Sequence, residues 1–119
     1  MLNELFLVLV LLQIKHWYID FVNQSEEEVK GKGIYGNLAG IGHSFKHGLA
    51  TFVILTFFVQ DFVVCVALGI LDFVIHYHTD WIKMRFGNRD ITTKQFWAQL
   101  GLDQLVHSLT YVFIMWMLL

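Results

Sequence analysis

Four long stretches of the chain are apolar on nearly every side, and short polar stretches separate them. The first runs from about Leu2 to Val22. Its first half is almost purely aliphatic, and its second half carries Lys15, His16 and Asp20 beside Trp17 and Tyr18. The second runs from about Leu38 to Val59, and Gln60-Asp61 is the only polar break before the third, from about Phe62 to Met84. Gly87-Asn88 is a helix stop. Thr92 followed by Gln95 has a capping-box pattern, so the fourth stretch starts near Thr93 and runs to Leu119. Each stretch has roughly 20 residues or more, which makes ~30 Å of helix, the hydrocarbon thickness of a bilayer.

Segments apolar all round predict an all-α fold: one domain over residues 1–119, built as a four-helix transmembrane bundle. A soluble helical bundle is the alternative, and the all-round apolar faces argue against it. The connection over residues 24–37 is different in kind. Ser25-Glu26-Glu27-Glu28 has the S-x-x-E form of a capping box and predicts a short surface helix. Gly31, Gly33, Gly36, Gly40 and Gly42 then predict a flexible, closely folded loop.

Composition supports the membrane reading. Of 119 residues, 56% are apolar and 15% charged, against about 25% charged in soluble domains. A soluble chain this small could not cover so much apolar surface. Proline is absent. The single cysteine, Cys65, sits in an apolar run, matches no zinc spacing and is expected in the core or facing lipid. Leu2–Leu12 has no preceding Lys or Arg and no small-residue cleavage site after it, so it reads as a retained helix. No basic tract suggests nucleic acid. The expected partners are membrane lipids and further copies of the chain, with Gly40, Gly42 and Gly48 permitting close helix contact.

Charge placement orients the bundle. Four spans put both termini on one side and the loops after the first and third spans on the other. Lys15, Lys30, Lys32, Lys46, Lys83, Arg85, Arg89 and Lys94 all belong to the loop side, and the terminal side has Glu4 and Asp61. The positive-inside rule makes the loop side cytoplasmic and both termini non-cytoplasmic.

The candidate chemistry lies in paired residues. His16 and Asp20, His43 and His47, His76 and Asp80, and Asp103 and His107 are each spaced i,i+4, which returns to one helix face within about 40°. The helices alternate in direction, so all four pairs fall in the cytoplasmic half. Ionisable groups in spans are expensive and usually functional. Imidazole nitrogens and carboxylate oxygens together suit a divalent metal, Zn²⁺ first, with Mn²⁺ or Fe²⁺ as alternatives. Eight ligands exceed one tetrahedral site, which allows two metals, or one metal with carboxylates holding the histidine tautomers. Asp72, one turn deeper than His76, is a further supporting carboxylate. His78 is out of phase with His76 by about 200°. Ser44 follows His43 where a zinc protease needs Glu, which excludes that mechanism. Trp17, Trp81 and Trp97 read as interface anchors. Lys46 and Lys83 lie beside the pairs, either snorkelling to headgroups or holding a substrate phosphate.

Four motifs in order carry a resemblance. His16-Trp17-Tyr18-Ile19-Asp20-Phe21 with Gln24 is similar to H-x-x-x-D-F-x-x-Q, His43 to His47 to H-x-x-x-H, His76 to Lys83 to H-x-x-x-D-x-x-K, and Asp103 to His107 to D-Q-x-x-H. Together they resemble domain of unknown function 3307, a family of small bacterial and phage membrane proteins. The resemblance implies a multi-pass protein of the bacterial inner membrane and points to the same His and Asp positions. It supplies no activity.

Three functions follow as expectations. The first is a membrane metal-dependent hydrolase of a lipid headgroup, lipid phosphate or small phosphoester. There Asp20 or Asp103 serves as base and Lys83 or Lys46 steadies an anion, with water activated by a metal that draws its pKa toward about 7. The second is an ion or proton transporter, for which the outer half offers only Thr51, Thr56 and Thr110. The third is an interaction protein of phage or bacterial membranes with a structural polar network, using Glu26 to Glu28 and the glycine stretch as its contact surface.

Overall fold

The computed structural model describes residues 2–119, which form an all-helical protein. Helix α1 (Leu2–Trp17) continues without a break into a π-helical turn, Tyr18–Val22. There the Asn23 N–H donates to the Tyr18 carbonyl at 2.8 Å, five residues back. Helix α2 (Glu26–Lys32) is short, and α3 (Leu38–Thr56), α4 (Phe62–Phe86) and α5 (Lys94–Leu118) are long.

Short polar side chains set the helix starts. Ser25 and Glu28 form the reciprocal capping box that S-x-x-E predicts. Asn37 caps α3 and Asp61 caps α4, each accepting two backbone N–H groups. A cap of this kind contributes about 1 kcal/mol. The start of α5 corrects the Thr92 reading by one residue. Thr93 is the cap, accepting from the Phe96 N–H, whereas the Thr92 hydroxyl donates to Asp90 at 2.7 Å. Helix α4 runs past Met84 to Phe86, and α3 stops at Thr56, short of Val59.

The glycine stretch is a correction of a different kind. Gly31 lies within α2, and Gly40 and Gly42 lie within α3. A Cβ on Gly31 would sit 2.9 Å from the Gly40 nitrogen, and one on Gly40 would sit 2.7 Å from the Gly31 oxygen. Only glycine lets α2 lie against α3 at that distance. Gly48 and Gly69 do the same for α3 and α4, since a Cβ on Gly48 would meet the Gly69 oxygen at 2.7 Å. Gly40 and Gly48 are therefore used within the chain, and Gly42 faces open space.

The interior is more polar than the exterior. Among the described residues the buried set holds fourteen polar or charged side chains and ten apolar ones, whereas Phe6, Phe45, Phe62, Leu105, Leu109 and Trp116 are among many large apolar groups left exposed. The two kinds of interior segregate by level. Val8, Leu12, Leu55, Cys65, Leu68, Tyr111, Ile114 and Met115 pack as one cluster toward the termini, which places Cys65 in the core. The polar interior occupies the loop half. The helix of residues Leu2–Val22 and α4 are long and apolar enough to cross a membrane, each with a mean hydropathy of 1.7.

Candidate metal centre

The four i,i+4 pairs meet. Each arrives on the inward face of its helix: His16 and Asp20 from α1 and its π turn, His43 and His47 from α3, His76 and Asp80 from α4, and Asp103 and His107 from α5. All eight are at most 6% exposed. That four helices bring them to one level follows from alternating direction and similar length, as the spacing predicts.

Six of the eight form two ligand groups. Asp20, His43, His47 and His76 present one ligand atom each within 4.8 Å of one another, and so do His76, Asp80 and His107. In the first group, Asp20 Oδ1 lies 2.9 Å from His43 Nε2, 2.9 Å from His47 Nε2 and 3.6 Å from His76 Nε2. In the second, His76 Nε2 lies 3.2 Å from Asp80 Oδ2, and His107 Nε2 lies 3.2 Å from Asp80 Oδ1. His76 joins the groups. Its ring is stacked between those of His47 (3.6 Å between centroids) and His107 (3.9 Å). Neither His76 nitrogen has a hydrogen-bond partner. A buried polar group without a partner is unusual and costs about 1–3 kcal/mol. Here stacking holds the ring and leaves its lone pair free. Nitrogen and oxygen donors at this spacing fit a divalent transition metal.

His16 and Asp103 stand beside these groups. Gln104 Oε1 is 2.8 Å from His16 Nε2, while the Gln104 amide donates to Asp103 at 3.0 Å. The amide orientation is fixed by the carboxylate, so His16 carries its proton on Nε2 and accepts from the Tyr111 hydroxyl through Nδ1 at 2.9 Å. Asp103 accepts from Lys83 at 3.0 Å, and its Oδ1, 3.4 Å from His107 Nε2, has no hydrogen-bond partner.

Three lysines complete the electrostatics. Lys15 lies inside the bundle. It is 8% exposed and donates to Asp72 at 2.7 Å and to the His47 carbonyl at 3.2 Å. Thr51 also donates to Asp72. Lys32, from the glycine stretch, is 6% exposed and sits 3.1 Å from Asp80. Lys83 pairs with Asp103. Lys46 instead turns outward to Glu28 and the Asn23 carbonyl. His78 is on the outer surface, bonded to Tyr35 at 2.9 Å. Asp72, Asp80 and Asp103 thus each have a lysine, whereas Asp20 has only imidazoles around it.

Sequence reasoning missed Lys15, Lys32, Gln104 and Tyr111 as parts of the centre. For Lys32 a signal existed: it lies i,i+4 from Glu28 on a helix with Gly31 on the same side, a small face made for packing. No protein-family model, curated protein or solved structure matches the chain.

Proposed function

We propose that the chain is a multi-pass protein of the bacterial inner membrane. It has four spans, cytoplasmic loops and both termini outside, and it binds one divalent metal in the cytoplasmic half and hydrolyses a phosphoester there. The uncompensated Asp20 carboxylate among four histidines carries this reading. A buried carboxylate without a counter-charge is strongly disfavoured, and a cation coordinated by Asp20, His43, His47 and His76 supplies that charge. His76 offers a single Nε2, so the Asp80 and His107 group competes for the same ligand, and one ion per chain is the expected content. Zn²⁺ suits four such ligands, with Mn²⁺ or Fe²⁺ as alternatives.

A metal there supplies Lewis acidity to the phosphoryl group and to water. The chain's own groups divide the remaining work. Water adds to phosphorus, the ester P–O bond breaks, and Asp103 Oδ1 takes the proton and returns it to the departing oxygen. Lys83 steadies the anionic phosphoryl oxygens. Asp20 is better suited to holding the metal than to acting as the base, because its carboxylate is already engaged by two imidazoles. The apolar cluster toward the termini favours this reading over transport, since among the described residues it fills the outer half with apolar side chains. The four motifs that resemble domain of unknown function 3307 fall on the same residues, and membership of that family is part of the proposal.

Metal analysis of detergent-purified protein tests the site. The expected result is about one equivalent of Zn²⁺, Mn²⁺ or Fe²⁺, lost in His76→Ala. Protein without stoichiometric metal, both as purified and after metal supplementation, would refute it and leave an imidazolium as the counter-charge of Asp20. Unchanged metal in Asp80→Asn is consistent with the Asp20 group as the ligand set.

A further inference from the structure

A cavity of about 380 Å³ opens at the loop end, beside the metal centre and distinct from it. Lys30, Lys32, Lys83 and Arg89 line it together with Gln24 and Gln99, and among the described residues no acidic side chain does. Lys30, Lys32 and Lys83 each have one carboxylate nearby, Glu26, Asp80 and Asp103, and among the described residues Arg89 has none, so the hollow keeps donors to spare for an anion. The arrangement is built from the backbone up. Arg89 is folded back so that Nε and Nη2 donate to the Met84 carbonyl at 3.2 Å and 2.6 Å. Its guanidinium lies where a Cβ on Gly33 would come within 2.7 Å of Nη2. The other guanidinium edge is left for a ligand. Lys32 is buried and Lys83 half-buried, and each ammonium has three donors with one carboxylate to satisfy, Asp80 for Lys32 and Asp103 for Lys83.

We infer that this cavity binds the phosphate of the substrate, and that the substrate is a phosphomonoester. The inference rests on the hydrolase reading for its chemistry, but anion binding itself does not need the metal. Arginine's planar fork with two lysines matches a phosphate dianion, which has three oxygens to fill. Lys32 and Lys83 carry the phosphate to the edge of the centre, because the carboxylates that they touch, Asp80 and Asp103, each lie within 3.4 Å of His107. A second cavity of about 350 Å³, between α4 and α5, shares Lys83 and Gln99 with the first. Its other walls include Ile82, Phe86, Leu102 and Val106. A headgroup in the basic cavity therefore has an apolar groove next to it for an acyl chain, which favours a lipid phosphomonoester over free phosphate.

Titration of chelator-treated, detergent-solubilised protein with inorganic phosphate, followed by calorimetry, tests the anion site. Binding to nanodiscs of phosphatidylcholine with and without phosphatidic acid tests the source. Phosphate binding is expected in the metal-free protein, weakened about tenfold or more in Lys30→Ala/Arg89→Ala. It should be unchanged in Arg85→Ala/Lys94→Ala, which removes two exposed cations outside the cavity. Both pairs spare the buried lysines, and a thermal melt of each double variant checks that the fold is kept. A preference for phosphatidic acid discs identifies the lipid source, and phosphate binding without it identifies a soluble ester. No saturable binding of phosphate or of phosphatidic acid, or equal weakening in both double variants, overturns the inference. A protein that fails this test yet holds its metal leaves the metal reading standing. A protein that binds phosphate and holds no metal does the reverse.

Discussion

Asp20 differs from the other three buried aspartates in one respect: no lysine reaches it. If a metal ion supplies the missing charge, Asp20→Asn should remove bound metal almost completely, whereas Asp103→Asn should keep the metal and lose hydrolysis. Metal content and turnover measured on the same preparations separate the two roles. Metal retained in Asp20→Asn would show that its carboxylate is not a ligand. Lys15 makes the complementary case. Lys15→Met leaves Asp72 buried and unpaired, which should destabilise the protein by about 3–5 kcal/mol. Adding Asp72→Leu should recover most of that loss in thermal unfolding, because the unpaired charge goes with it. The ligand pairs were legible in the sequence because i,i+4 spacing is a local property of a helix. The lysine partners were not, because the contacts between Lys15 and Asp72 or between Lys32 and Asp80 join residues far apart in the chain. Lys15 meets Asp72 deep in the bundle, whereas Lys83, about three turns further along α4, meets Asp103, so the level of each lysine as well as the rotation of its helix decides its partner.

Helix α2 brings Lys32 into the bundle, and two features hold it there. Glycines 31 and 40 allow backbone contact with α3, and Glu28 bonds Lys46 across the same gap. Burial pushes the Glu28 carboxyl up, but the Lys46 ammonium and the Ser25 N–H outweigh it and hold the group below its ordinary value. A depressed folded value means that this link is complete above the ordinary glutamate range, near about 4.3, and is lost as pH falls through the folded value. Amide exchange in α2, corrected for the intrinsic pH effect, should therefore accelerate at acid pH, and Glu28→Gln should flatten that dependence. An α2 equally protected throughout would mean that the glycine contact alone suffices. At the α3–α4 pair, Gly48→Ala should destabilise by about 1–3 kcal/mol through overpacking against Gly69 and Phe73. Gly42→Ala, in open space within a helix, should stabilise by up to about 1 kcal/mol, and a thermal melt of each variant distinguishes them. Helix starts at Ser25 and Asp61 were legible, as capping box and polar break, because a cap is written in a few adjacent residues. The π turn at Tyr18–Val22 was not, since an apolar stretch reads the same whether its turn closes over four residues or five. The glycines were seen as punctuation, but whether they make a loop or a helix crossing depends on a partner that sequence spacing does not show.

At the scale of the whole molecule the distribution of polarity is inverted. A chain with lysines, aspartates and histidines inside, and phenylalanines and leucines outside, is stable where the surroundings are apolar, because lipid removes the cost of the exposed faces. The long dimension of 44 Å matches a bilayer with its headgroup regions. The all-helical architecture was legible because all-round apolarity needs no tertiary information. The inverted interior was legible only in part, since hydropathy averages over a helix while burial depends on the face. Orientation is the property that most directly links this inversion to the proposed function, because it decides which compartment the basic cavity faces. Single cysteines can report it, since Cys65 is fully buried and should stay silent. In intact cells, Gln60→Cys, in the turn between α3 and α4, should react with a membrane-impermeant maleimide. Glu27→Cys, exposed on α2, should react only after the inner face is opened. Labelling of Glu27→Cys from outside would place the His/Asp cluster and the basic cavity on the outer side, and the proposed substrate would then have to be sought there.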